Sequence, residues 1–167
     1  MDAHKGAISV ESVVNKGTKF GITIPHARDL HSGEGPKTIP IEVSYNWKNK
    51  VILVVDDNES NYLFFESCID KTQAQLLWAK DGMEAIQLCK NNPLIDLVLM
   101  DIQLPNLNGY EATIEIKKIR KDLPVLAQTA FAMNGEDENC FIAGCDAYIS
   151  LPVQPKLLLK EIDRFLK

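Results

Sequence analysis

After residue 50 the chain alternates short apolar runs with helically spaced apolar residues five times, and this rhythm narrows the fold more than any other feature. The runs fall at about 51–55, 75–79, 96–100, 124–128 and 146–150. Helical spacing follows each of them: Leu63, Phe64 and Cys68; Ala85, Ile86 and Cys89; Ile114 and Ile119; Phe141 and Ile142; then Leu158, Ile162, Phe165 and Leu166. Near-continuous apolar runs suit strands covered on both faces, and intervening helices are the usual way to connect parallel strands. The expected fold is α/β, a doubly wound five-stranded parallel sheet with five helices. Asn58 and Asp81 stand where the first two helices need N-caps. The fourth helix has the weakest start, Asn134-Gly135-Glu136-Asp137-Glu138, although its acids suit a helix N-terminus.

The front of the chain differs. Ala7-Ile8-Ser9-Val10-Glu11 and Lys19-Phe20-Gly21-Ile22-Thr23-Ile24 alternate like two strands joined across Asn15-Lys16-Gly17. Two strands alone are marginal in water, so this hairpin reads as a remnant of a larger sheet. Residues 27–48 carry Gly33, Gly35, Pro36 and Pro40 without apolar periodicity and read as a linker. The expected organisation is a remnant at 1–26, a linker at 27–48 and a domain at 49–167.

Charge and cysteine usage exclude several classes. Residues 1–50 hold seven basic and five acidic residues, leaving 11 and 18 in residues 51–167, so the main domain carries −7. A phosphate-backbone binder needs the opposite balance, so no nucleic acid partner is expected for this segment. No run reaches the length of a membrane span and the start lacks a signal peptide's apolar core, so no membrane partner is expected for this segment; its cysteine usage fits a cytoplasmic setting, with a membrane anchor elsewhere in the parent protein left open. Cys68, Cys89, Cys140 and Cys145 form no CxxC pair and sit in apolar patterns, which reads as free thiols.

In a doubly wound sheet the ligand crevice lies at the carboxyl ends of the strands. Those ends read Asp56-Asp57, Asp101, Thr129-Ala130 and Leu151-Pro152. Asp56-Asp57 alone could be an acidic helix entry. Asp101, however, ends the apolar run Leu97-Val98-Leu99-Met100, where a carboxylate has no partner in the preceding strand. Three like charges in one crevice require a cation, and an all-oxygen ligand set selects Mg²⁺ or a similar hard ion.

These residues carry a resemblance. Val54-Val55-Asp56-Asp57-Asn58, Leu99-Met100-Asp101 through Pro105 to Gly109-Tyr110, Gln128-Thr129-Ala130 and Ala143-Gly144-Cys145-Asp146-Ala147-Tyr148 resemble the receiver domain of two-component signalling proteins, a flavodoxin-like fold. The resemblance implies that Asp101 is the phosphoacceptor, that Asp56, Asp57 and Asp101 bind Mg²⁺ with the Gln103 carbonyl, and that Thr129 and Ala130 border the phosphoryl group. It further implies that Thr129 senses that group and that Tyr148 is the aromatic switch. Ile8-Ser9-Val10-Glu11-Ser12 and Lys16-Gly17-Thr18-Lys19-Phe20 resemble the last two strands of a sensor histidine kinase ATP-binding domain. The order therefore resembles a hybrid histidine kinase, of which this segment is not a complete enzyme. Implied partners are a histidine kinase dimerisation domain or a histidine phosphotransfer protein, with a second copy of this chain as a candidate through the hairpin or the fourth-helix and last-helix face.

One position departs from the family. Where receivers read Tyr-Ile-Ser-Lys-Pro, this chain reads Tyr148-Ile149-Ser150-Leu151-Pro152, without the ammonium that contacts the phosphoryl group. Lys156, the nearest lysine, falls at the start of the last helix and is a poor substitute. The bond before Pro152 is expected to be cis, as the resemblance implies. A phosphoaccepting receiver is the leading expectation, and a phosphorylation-independent binding module is the alternative that Leu151 motivates. An unrelated aspartyl phosphatase fits worse, because such enzymes carry a DxD pattern after the first strand and here the acids are adjacent.

Overall fold

The computed structural model describes residues 7–13, 17–23, 44–129 and 136–167. Two compact units divide at residues 42 and 43. In the first, β1 (Ala7–Val13) and β2 (Gly17–Thr23) pair antiparallel, with Ile8 opposite Ile22 and Val10 opposite Phe20. That register puts four apolar side chains on one face, and all four are largely exposed.

The second unit contains β3 (Val51–Val55), β4 (Gln75–Ala79), β5 (Ile95–Asp101), β6 (Val125–Thr129) and β7 (Ala147–Ser150). They form one parallel sheet in the order β4-β3-β5-β6-β7. The helices are α1 (Glu59–Ile69), α2 (Gly82–Asn91), α3 (Gly109–Ile119), α4 (Glu136–Ala143) and α5 (Pro155–Leu166). The order reverses direction between β3 and β5, which opens a crevice at their carboxyl ends.

Strand alternation separates two cores. Leu53, Val55, Val98, Met100, Val125 and Ala127 join Ala85, Ala112 and Ile116 of α2 and α3 in one cluster. Ile52, Val54, Leu97, Leu99, Leu126 and Ile149 join Phe65, Ile69, Leu158 and Ile162 of α1 and α5 in the other. β3, β5 and β6 are buried along nearly their whole length, as their apolar runs require.

The expected caps form: Asn58 accepts from the Ser60 N–H and Asp81 from the Glu84 N–H. At α3, Asn108 and Glu111 complete a capping box. Residues 44–48 leave the expected linker and belong to the second unit. Trp47 is the reason: it is 3% exposed, its N–H donates to the Thr72 carbonyl at 2.7 Å, and its indole N–H donates to Asp163 at 3.2 Å. The four cysteines are free thiols. Burial pushes the Cys89 thiol up to about 11 and Cys145 up to about 12, which suits packing rather than reactivity.

Candidate functional site

Asp56 and Asp57 follow β3, and Asp101 is the last residue of β5. Because β3 and β5 are neighbours, with Val55 paired to Met100, the three acids meet at one edge. One carboxylate oxygen from each lies within 4.8 Å of the others. Alternation gives the adjacent acids different environments: Asp56 is fully buried and Asp57 is exposed, while Asp101 is half-buried.

Asp56 is held by a side-chain network. Its Oδ1 accepts from the Asn58 N–H at 2.8 Å, and the Asn61 amide donates to both oxygens at 3.2 and 3.0 Å. Its carbonyl accepts from the Trp78 indole at 2.8 Å. Asp101 Oδ1 accepts from the Gln103 N–H at 2.9 Å. Burial raises the Asp56 carboxyl above its ordinary range; the Asn58 and Asn61 bonds oppose this and the charges of Asp101 and Asp57 add to it. Burial likewise raises Asp101, opposed by the Gln103 N–H and reinforced by the Asp57 charge. A hard divalent cation would relieve that repulsion, and the oxygen donors fit one.

Gly109 fixes the backbone at Asp101. Its N–H donates to the Ile102 carbonyl at 3.0 Å, and a Cβ there would stand 2.1 Å from the Asp101 carbonyl oxygen. Only glycine lets α3 start this close to the end of β5.

The other expected site residues divide between faces. Thr129 is buried at the end of β6, on the side of Val125 and Ala127. Tyr148 packs against that same cluster, paired in register with Ala127 and edge-on to Phe141 at 6.3 Å. Thr129 and Tyr148 are therefore diagonal neighbours on one face. Gln103 is exposed beside Asp101. Ala130 lies outside the described residues. The Leu151–Pro152 bond is cis, as expected, and the Leu151 side chain packs against the α1/α5 cluster. Nothing in the sequence points to Asn61 or Trp78, and Gly109 shows there only as part of a motif without its role, because these parts depend on neighbours distant in sequence or on backbone approach.

A doubly wound sheet with a triad of carboxylates at its switch point defines a class of α/β proteins that bind at the strand ends. Within it, the model of the response regulator receiver domain family matches residues 52–163, and the chain belongs to that family. The polar-differentiation response regulator DivK of Brucella ovis is 37% identical over 119 residues, covering 70% of this chain and 96% of that protein. The receiver domain of the sensor histidine kinase PA1611 from Pseudomonas aeruginosa, solved with magnesium coordinated in its active-site cleft, is 32% identical with a TM-score of 0.66, covering 70% of this chain and 97% of that one. The co-crystal structure of the Saccharomyces cerevisiae histidine phosphotransfer protein Ypd1 with the receiver domain of Ssk1 matches at 28% identity and a TM-score of 0.65, covering 70% of this chain and 88% of that one.

Proposed function

We propose that this chain is a phosphoaccepting receiver of a phosphorelay, in which Asp101 takes the phosphoryl group of a phosphohistidine with Mg²⁺. The observation that carries the reading is the convergence of Asp56, Asp57 and Asp101 to within 4.8 Å at the sheet's carboxyl edge. These acids would hold the ion, with the Gln103 carbonyl as a further ligand; when bound, Mg²⁺ supplies counter-charge to the phosphoryl oxygens. An Asp101 oxygen attacks phosphorus in line, and a P–O bond forms as the P–N bond breaks. The electron pair returns to the imidazole nitrogen, which takes a proton from solvent. The Gln103 N–H orients the attacking carboxylate, and Gly109 keeps its backbone in place.

Thr129 would meet the phosphoryl group, with Ala130 beside it, and Tyr148 would report it to the α4/α5 face. Phe141, Ile142 and Leu157 are exposed on α4 and α5, which suits docking of a histidine phosphotransfer protein, a kinase dimerisation domain or a second copy. The pairing of β1 and β2 fits the reading of residues 1–26 as the tail of a histidine kinase ATP-binding domain, which would make the parent protein a hybrid kinase; a cytoplasmic setting for this segment is part of the same proposal. Among the described residues no helix is long and apolar enough to cross a membrane.

The test incubates the full chain with Mg²⁺ and a small acyl phosphate and reads intact mass. One added phosphoryl group, absent when a chelator is included from the start and absent in Asp101→Asn, supports the reading; an unchanged mass contradicts it. A second reading, a binding module independent of phosphorylation, rests on Leu151, whose side chain joins the apolar cluster and brings no ammonium to the crevice. Partner binding of equal strength in the wild type and Asp101→Asn would favour it.

A further inference from the structure

On the α1/α5 face of the sheet, Leu99 and Leu126 precede a row in which Asp101 of β5 stands beside Gln128 of β6, which stands beside Ile149 of β7. Residues paired in register on parallel strands project from the same face, so Asp101 and Gln128 are side-by-side neighbours. Neighbouring strands lie only about 4.8 Å apart. A carboxamide on two methylenes spans that separation.

Gln128 is fully buried, and neither its Nε2 nor its Oε1 hydrogen-bonds to any described residue. Burying a primary amide without partners opposes folding, and an apolar side chain would fill this position without that cost. The side chains below the row on this face, Leu97, Leu99 and Leu126, are apolar, as is Ile149 within it. The exception sits beside the acceptor carboxylate. Leu151, two residues beyond Ile149, is the side chain that would otherwise supply a donor, and it supplies none.

We propose that the Gln128 carboxamide is a ligand of the phosphoryl group on Asp101, its Nε2 donating to a phosphoryl oxygen in place of the ammonium absent at Leu151. This rests on the proposed role of Asp101. Gln128 transfers no proton; it adds a hydrogen bond from a neutral donor to an anionic oxygen and acquires the partner it otherwise lacks. A neutral donor stabilises the anion less than an ammonium does, so the phosphoryl site depends more heavily on Mg²⁺.

The experiment uses the full chain with Mg²⁺ and beryllofluoride as the phosphoryl mimic. Gln128→Met keeps the side-chain length without polar atoms. It should melt at a higher temperature than the wild type and bind beryllofluoride about tenfold more weakly, the loss of roughly one charge-assisted hydrogen bond. A purely structural role would not move stability and affinity in opposite directions. In the wild type, the Gln128 side-chain NH₂ resonances should shift on adding beryllofluoride, a readout that needs no variant. Unchanged affinity in Gln128→Met, or unmoved NH₂ resonances while beryllofluoride binds, overturns the proposal. A wild type that neither binds beryllofluoride nor labels on Asp101 overturns the phosphoacceptor reading and this inference with it.

Discussion

Gly109→Ala tests whether the crevice is positioned by the close approach of α3 to β5. The added Cβ would lie 2.1 Å from the Asp101 carbonyl oxygen, 2.8 Å from the Ile102 Cα and 2.9 Å from the Asp101 carbonyl carbon, against an ordinary contact of 3.4 Å or more. All three neighbours are backbone, so no side chain can swing aside, and α3 must retreat by roughly 1 Å. Overpacking of this kind costs about 1–3 kcal/mol. Loss of the 3.0 Å bond from Gly109 N–H to the Ile102 carbonyl adds about 1 kcal/mol. The stiffer unfolded chain returns about 0.4–1 kcal/mol. The net loss is about 1–3.6 kcal/mol, and for a unit spanning residues 43–167 each kcal/mol moves Tm by about 4 °C. Thermal unfolding should show a fall on the order of 10 °C, and a Mg²⁺ titration should show weaker binding because the Asp101 carboxylate moves with its backbone. A variant as stable as the wild type with unchanged Mg²⁺ affinity would refute the argument.

Without metal, burial and mutual repulsion raise the Asp56 and Asp101 carboxyls above 3.8, so the folded chain holds more protons than the unfolded one between 3.8 and those raised values. Their contribution to stability therefore falls as pH rises through that window; melting in a chelator should show this slope, and Asp101→Asn should flatten it and melt higher at neutral pH. Trp47→Ala should cost about 3–5 kcal/mol by denaturant unfolding, because it empties a site 3% exposed and removes the indole bond to Asp163. A chain beginning at residue 44 should melt like the full chain's second unit, and one beginning at residue 49 should be measurably weaker. Leu151→Lys should make beryllofluoride binding less dependent on Mg²⁺ concentration, which fluorescence or NMR titration checks.

Much of the fold was legible because the three inner strands of the sheet, β3, β5 and β6, are buried on both faces, which demands an unbroken apolar run. Asp101 stood out for the same reason, since a carboxylate closing such a run has no local partner. The adjacent acids Asp56 and Asp57 were readable as a pair, whereas their unequal burial follows from the pleat and from Asn61 and Trp78 closing over only one of them. Trp47 was hidden because it and Tyr45 stand among polar residues with no apolar period, and its partners Thr72 and Asp163 are remote in sequence. Gln128 read as the start of the strand-end motif with Thr129; its burial becomes visible only when β5 and β7 flank it. Gly109 carries no side-chain signal at all, and its necessity is a distance between two backbones.

The central claim is that Asp101 accepts a phosphoryl group from a phosphohistidine. The most direct measurement mixes the chain with a phosphorylated histidine phosphotransfer protein and Mg²⁺, reduces the product with borohydride, and maps the modified residue by peptide mass. An aspartyl phosphate is reduced to homoserine, so the account predicts homoserine at position 101 and none in the metal-free control. An unmodified Asp101, or label recovered at another residue, would contradict it.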